Sequence, residues 1–448
     1  MSKLLKGSVK AHLFRLTLPG IGGMFAIMVF NLTDTYFVSR LGTEELAAMG
    51  FTFSVVMIIG ALAIGFSTGS ASIITRAIGA GDWTLARRTT SDGLVLTIIG
   101  TAVVSVLGYF TITPVFTMLG ASGHVLELVR EYMQIWFIGA VFAIMPPVTD
   151  GCLRSAGDMV RPVIVMCTCA VINCILDPIL IFGWGPFPAM GMAGAALATV
   201  VARGLGATAS LALLHFKLNL INWQVPHIRE LLHSWSQIIR LGIPAALTQA
   251  LNPVAQGFYI RLAAGIGGVQ AVAAMATGTR IESIIFIIAM AYSTAITPFV
   301  GHNYGAKAYG RVQETRRLST RFAFLYSGAT FLLLLPFAHL ISSIFSDNPE
   351  VVRMSTIYLL VAALGHAGVH ICTWMSQLLN VIGRPRPVVA ISLSRVFLFI
   401  MPFSLLGSRF FGFTGLVAGL ALANLFAGWA AYLATRSQLR KPDAEFAY

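Results

Sequence analysis

Three carboxylates stand deep inside apolar segments of this chain: Asp34 in VFNLTDTYFV, Asp177 in VINCILDPIL and Glu282 in TRIESIIF. The other 14 of the 17 acidic residues fall in loops, tails or helix ends. An ionised side chain at the centre of a bilayer costs at least about 2.5–3.5 kcal/mol, so each of the three must face a cavity, find a partner or take up a proton. Asn173 precedes Asp177 by four residues and shares its helix face. Asp34 and Asp177 each stand six residues before the outer end of their segment, which puts both about 9 Å below the outer boundary at 1.5 Å per residue. Thr199 stands nine residues into the next inward segment, about 13 Å down. Two carboxylates, an amide and a hydroxyl at matched depth make an oxygen-rich pocket. It would suit a proton shared between the acids or a dehydrated Na⁺, the latter on Asp34, Asn173 and Asp177. The plainer alternative has each acid hydrogen-bonded to a helix backbone or a neighbouring Asn.

The elements that hold these residues follow from composition. Hydrophobic residues make up 57% of the 448 and charged residues only 10%, against about 25% charged in soluble domains. The expectation is an all-α membrane protein with twelve transmembrane helices, at about 13–38, 47–73, 93–117, 125–149, 160–183, 190–215, 238–262, 270–299, 318–344, 352–380, 388–410 and 412–435. The net charge of +13 reports topology. With the N-terminus inside, 22 of the 30 basic residues fall on the cytoplasmic side and 5 on the other, and Arg203, Arg280 and Arg395 lie within spans. This loop-by-loop alternation argues against a nucleic-acid partner. The basic start MSKLLKG precedes an apolar run too long for a signal peptide and reads as a retained first helix.

The sequence also repeats itself. LTLPG (16–20) matches LGIPA (241–245), and LAAMG (46–50) matches VAAMATG (272–278). Gly79 in RAIGAGD pairs with Gly305 in GHNYGAK, and Gly157 in LRSAGDMVRP with Gly383 in LNVIGRPRPV, both at an offset of 226. Six spans per half is an even number. The halves should therefore be parallel repeats, two six-helix lobes with a pseudo-two-fold axis along the membrane normal. The expected division is an N-terminal lobe over 1–214, a cytoplasmic linker over 215–237 and a C-terminal lobe over 238–448 with a short cytoplasmic tail. HIRELLHSWSQIIR (227–240) reads either as an interfacial amphipathic helix or as a plain connector. The acids break the symmetry: at the 226 offset Asp34 meets Ile260 and Asp177 meets Phe403.

Other residues carry weaker signals. Glu282 and Arg280 are candidates for a transport role or for support of their lobe. His366 and His370, four apart on one face, would suit a metal, a proton relay or the polar wall of a cleft. Met28, Phe30, Met57, Trp136 and Met166 would make a soft surface for an apolar cargo, or plain packing. The five cysteines are packing residues, and Cys167 and Cys169 do not share a face. No Walker sequence occurs, so no nucleotide site is expected on this chain.

These motifs together resemble the multidrug and toxic compound extrusion (MATE) transporters, in their DinF-type branch. The resemblance spans essentially the whole chain. It rests on LTLPGIGGMFAIMVFNLTDTYFVSRLG, RAIGAGD, GHNYGAK, LRSAGDMVRP, DPILIFGWG, GMAGAALAT and TRIESIIF. It implies an antiporter exporting amphipathic, often cationic drugs in exchange for H⁺ or Na⁺. In that light Asp34, Asn173, Asp177 and Thr199 match the branch's cation site, Tyr132 a neighbouring tyrosine and Pro19 a proline where helix 1 is thought to bend. The acids that NorM-type members carry in helices 7 and 10 are missing from LTQALNPVAQ (247–256) and GHAGVHICTW (365–374), which directs coupling to the first lobe.

The expectation is thus a monomeric multidrug antiporter of a bacterial inner membrane, multi-pass with both termini cytoplasmic. Drugs and membrane lipid would be its partners, and no cofactor is expected beyond the coupling ion. A lipid-linked oligosaccharide flippase is the alternative; the balance of three interior bases against three acids favours a cationic or neutral cargo. A membrane enzyme would need a ligand cluster or an activated nucleophile, and the sequence offers neither.

Overall fold

The computed structural model describes residues 3–224 and 227–440. Val225 and Pro226 of the expected linker and the end of the tail, including Lys441, lie outside the described residues. Among these residues the regular structure is helical: α1 (Val9–Ser39), α2 (Thr43–Ala80), α3 (Trp83–Met118), α4 (Gly123–Ile138), α5 (Ala140–Ser155), α6 (Val160–Phe182), α7 (Gly191–Ala212), α8 (Ile228–Ile285), α9 (Ile287–Gly305), α10 (Tyr309–Phe345), α11 (Pro349–Val381), α12 (Pro385–Leu393) and α13 (Met401–Gln438). A π-helical turn extends α7 over Leu213–Lys217, and another joins α12 to α13 over Ser394–Ile400.

Nine of the described helices are long and apolar enough to cross a membrane, and the pair α4–α5, bent by 56°, makes a tenth span. Two continuous helical runs, the 58 residues of α8 and the 54 from Pro385 to Gln438, are too long to be one span. A straight helix of the 58 residues of α8 would reach about 87 Å, nearly three times the hydrocarbon core. α8 is interrupted at Gly267–Gly268 and α13 at Phe411–Gly412, with nearly identical dihedrals and φ of +56° and +57° at the glycines. The chain doubles back at the second break, because a Cβ on Gly419 would touch the Phe403 carbonyl oxygen. Sixteen residues of continuous helix would separate those two by about 24 Å. With each break counted as a turn between spans, the twelve expected spans are present, six in each half.

The described helices run several residues past the apolar stretches, because polar residues at the interface cap and continue them. Asp82 accepts from Leu85 N–H at 2.8 Å to start α3, and Asn348 caps α11 by accepting from Glu350 N–H at 2.9 Å. α1 continues as a helix through Pro19, although that residue cannot supply the usual backbone donor.

The chain forms two compact units, Arg15–Ala246 and Leu247–Tyr448, with Lys3–Phe14 counted in the second. The segment expected as a connector is the opening of α8, and it is anchored to the first unit well beyond residue 237. Trp235 Nε1–H donates to the Asp92 carbonyl oxygen at 3.0 Å, and Arg88 pairs with Glu230 at 2.8 Å. Gly65 and Gly242 lie in close backbone contact, so helices α2 and α8 meet where neither carries a side chain. In the second unit the start of the chain is held by Arg311, which donates to the Gly7 and Leu4 carbonyl oxygens at 2.7 and 3.1 Å and to Asn303 Oδ1 at 2.7 Å.

Candidate cation site of the first unit

Small residues bring the site helices together. α7 carries Gly194, Ala195, Ala198, Ala202 and Gly206, all buried. A Cβ on Gly194 would stand 2.3 Å from the Leu180 carbonyl oxygen of α6, and one on Gly206 would stand 2.2 Å from Cys169 Sγ. Gly139, at the α4–α5 bend, approaches Val200 of α7 equally closely. On α1, Gly22 and Gly23 admit Val163 and Met166 of α6. Such close approach replaces the hydrophobic drive that helices lack in lipid.

This packing gathers the residues that the sequence placed at one depth. Asp34 of α1, Tyr132 of α4, Asn173 and Asp177 of α6 and Thr199 of α7 are all buried, Asp177 and Asn173 completely. Asn173 Nδ2 donates to Asp177 Oδ1 at 3.0 Å. The Asp34 and Asp177 carboxylates lie within electrostatic range of each other. Tyr132 is within range of both and stands beside Thr199. Four oxygens in this group have no hydrogen-bonding partner: Asp34 Oδ1, Asp177 Oδ2, Asn173 Oδ1 and Thr199 Oγ1. Unpartnered buried oxygens are costly, and a proton, a small hard cation or a bridging water would satisfy them. Asp177 thus has the neighbouring Asn of the plainer alternative on one oxygen, while each carboxylate keeps one oxygen without a partner among the described residues.

One member of the group was not singled out from sequence. Arg203 follows Thr199 by four residues on α7, and it interacts electrostatically with Asp34 and Tyr132. Its Nη1 donates to the Ala143 carbonyl oxygen at 3.3 Å, and its guanidinium stands over the Phe30 ring at 5.2 Å. The four-residue spacing to Thr199 was the available signal. Arg203 supplies a fixed positive charge, so one cation bound at two ionised carboxylates would leave the group neutral. Two other acids are also buried, Asp92 and Asp150, which the sequence assigned to helix ends. Asp150 Oδ1 accepts from Ser210 Oγ at 3.0 Å, and Asp92 faces Arg88 at 3.6 Å.

The remaining candidates disperse. Trp136 is 2% exposed inside the core of the first unit, against Phe137, as the packing alternative expects. Met57 is exposed, and Met28 and Met166 are half-buried. Arg280 is exposed and does not pair with Glu282. Instead Glu282 is bound within the second unit: Tyr358 O–H donates to Oε2 at 2.8 Å, and His366 Nε2 stands 2.9 Å from Oε1. His366 and His370 are buried, and the Phe286 ring meets both edge-on. His370 stacks on Trp374, and Trp374 stacks on Phe322. The described residues contain no group of three His, Cys, Asp or Glu able to hold a metal ion.

Known proteins resemble both the fold and the chain. The MatE family model matches twice, over residues 19–179 and 244–406, so the family unit recurs at nearly the spacing of the internal repeat. The chain is 36% identical over 429 residues to a FAD transporter of Shewanella oneidensis, covering 96% of this chain and 95% of that one. It is 25% identical to the "Probable multidrug resistance protein NorM" of Thermotoga maritima, covering 93% and 90%. Its fold superposes on the crystal structure of the Vibrio cholerae MATE transporter VcmN in the bent form with a TM-score of 0.91 at 30% identity, covering 96% and 97%. Twelve spans, the duplicated family match and whole-length similarity lead to one conclusion: the chain belongs to the MATE family, and is a multi-pass membrane transporter, not an enzyme.

Proposed function

We propose that the protein is a secondary antiporter that exports amphipathic, often cationic small molecules in exchange for H⁺ or Na⁺. The observation that carries this reading is the group of four unpartnered oxygens on Asp34, Asp177, Asn173 and Thr199. Empty, the group holds two carboxylates against one guanidinium in a buried place. Uptake of a cation neutralises it and changes which packing of α1 against α6 and α7 is favoured. Exchange follows if cargo and cation prefer different packings. Pro19 lies in α1 where a missing backbone hydrogen bond lowers the cost of bending. We place both termini on the cytoplasmic side on the strength of the basic-residue asymmetry, and take the protein as a monomer of a bacterial inner membrane.

A second cargo reading has its own support. The relative at 36% identity is described as a FAD transporter, which makes a flavin dinucleotide the competing substrate. The lipid-linked flippase alternative has no comparable support.

The test is uptake into everted vesicles under an imposed pH gradient or an imposed Na⁺ gradient, with a cationic dye and with FAD, for the wild type and Asp34→Asn. Dye uptake driven by one gradient and lost in the variant supports drug–cation antiport and identifies the ion. FAD uptake without dye uptake moves the cargo to the dinucleotide. If neither gradient drives either cargo, the antiporter reading fails.

A further inference from the structure

At one end of the second unit α10 and α13 present arginines to each other across a cavity of about 250 Å³. Gln313, Arg316 and Arg317 of α10 stand at helical positions i, i+3 and i+4; Tyr432, Arg436 and Arg440 stand at i, i+4 and i+8 along and just past α13. These spacings put each set on one face, so two stripes confront each other. Among the described residues the lining holds four guanidiniums and no carboxylate.

Arg316 is the unusual member. Only 6% of it is exposed, yet its Nε and Nη1 have no hydrogen-bonding partner. Its guanidinium lies over the Tyr432 ring at 4.6 Å. The ring offsets part of the desolvation of the cation but accepts no in-plane hydrogen bond. Two donors of a buried guanidinium, beside three like charges, call for an anion with several acceptor oxygens. All four charges are arginine, whose planar fork matches the oxygens of phosphate two at a time.

We propose that this pocket is a phosphate-binding site. Arg316 forms its floor, and Arg317, Arg436 and Arg440 form its rim. The phosphate is supplied by the headgroup of an anionic phospholipid or by soluble phosphate. The lipid source rests on the orientation proposed above, which turns this end of the unit toward the cytoplasmic leaflet, where basic pockets meet anionic headgroups. Phosphate binding itself does not depend on what the protein transports.

The experiment uses the purified full chain in a neutral detergent. Its thermal unfolding midpoint is followed against dioctanoyl phosphatidylglycerol, inorganic phosphate and, as the uncharged control, dioctanoylglycerol, at constant ionic strength. The expected result is a saturable rise with phosphatidylglycerol, with inorganic phosphate or with both, and none with dioctanoylglycerol. Arg316→Gln and Arg436→Gln should each raise the half-saturating concentration about tenfold or more. Arg409→Gln, an exposed arginine beside the Phe411–Gly412 break of α13, should leave it unchanged. A response to the lipid alone assigns the site to headgroups; a response to inorganic phosphate as well assigns it to phosphate from either source. If Arg316→Gln does not fold, the exposed Arg436→Gln and Arg440→Gln decide the matter. The proposal is overturned if neither phosphate compound gives a saturable rise, or if the rise survives the rim substitutions unchanged.

Discussion

Glu282 in the second unit has both carboxylate oxygens occupied, by the Tyr358 hydroxyl and by His366, behind a wall of stacked rings. In the first unit Asp34 and Asp177 each keep an oxygen with no partner, as do their neighbours Asn173 and Thr199. The internal repeat makes the contrast sharper. Tyr132 and Tyr358 are separated by 226 residues, the offset of the repeat, and each stands beside the acid of its own unit. The two halves therefore share a tyrosine and differ in the acid it faces. A satisfied carboxylate ties helices together; an unsatisfied one remains available to a cation. The duplicated scaffold thus holds a fully paired acid in one copy and incompletely paired acids in the other.

The comparison breaks most readily at the carboxylates themselves. Asp177→Asn should reduce ion-driven uptake in everted vesicles to the background seen without a gradient. Its thermal midpoint should hold or rise, because a neutral amide replaces a buried and incompletely paired charge. A clear loss of stability would mean that Asp177 is structural after all. Glu282→Ala should do the reverse. Leaving the Tyr358 hydroxyl and His366 without their acceptor costs about 1–3 kcal/mol of stability, read by thermal melting, while uptake persists in the folded fraction. Loss of uptake at unchanged stability would bring the second unit into the coupling.

Helix spacing offers a subtler probe. A Cβ on Gly194 would press on the Leu180 carbonyl oxygen, and one on Gly278 would press on the Tyr358 ring at 2.1 Å. Each alanine substitution should cost about 1–3 kcal/mol by overpacking. Gly194→Ala should also impair uptake by parting α6 from α7, whereas Gly278→Ala should lower only the melting temperature; equal effects on uptake would erase the distinction between the units. The smallest effect belongs to Thr199→Val, which removes one buried unpartnered hydroxyl, so the melting temperature should hold or rise slightly. Its uptake kinetics separate the ions: weakened Na⁺-driven uptake marks the hydroxyl as a metal ligand, and intact pH-driven uptake marks the acids as proton carriers.

Much of this was legible in the chain. Span positions, the 226-residue repeat and the shared depth of Asp34, Asn173, Asp177 and Thr199 follow from hydropathy, helical rise and period. The breaks at Gly267–Gly268 and Phe411–Gly412 were anticipated as gaps between spans, but nothing local announced that the turns would be so tight. Sequence leaves Trp136 open between packing and lining, because an aromatic residue in a span has the same composition either way; its burial favours packing. Arg203 was counted among the interior bases but not joined to Asp34, because the two are far apart in sequence and meet only when α7 packs near α1.

By itself, then, the sequence determined what lies in the membrane, how often it crosses and which acids are out of place there, since each of these depends on one segment and the solvent around it. Partnership was decided only by tertiary structure. Glu282 satisfied by Tyr358 and His366, Asp34 and Asp177 left with open oxygens, and Arg316 buried over Tyr432 all depend on which helix faces meet. The energy of a buried polar group is set by its nearest neighbours in space, and those neighbours come from helices far apart along the chain.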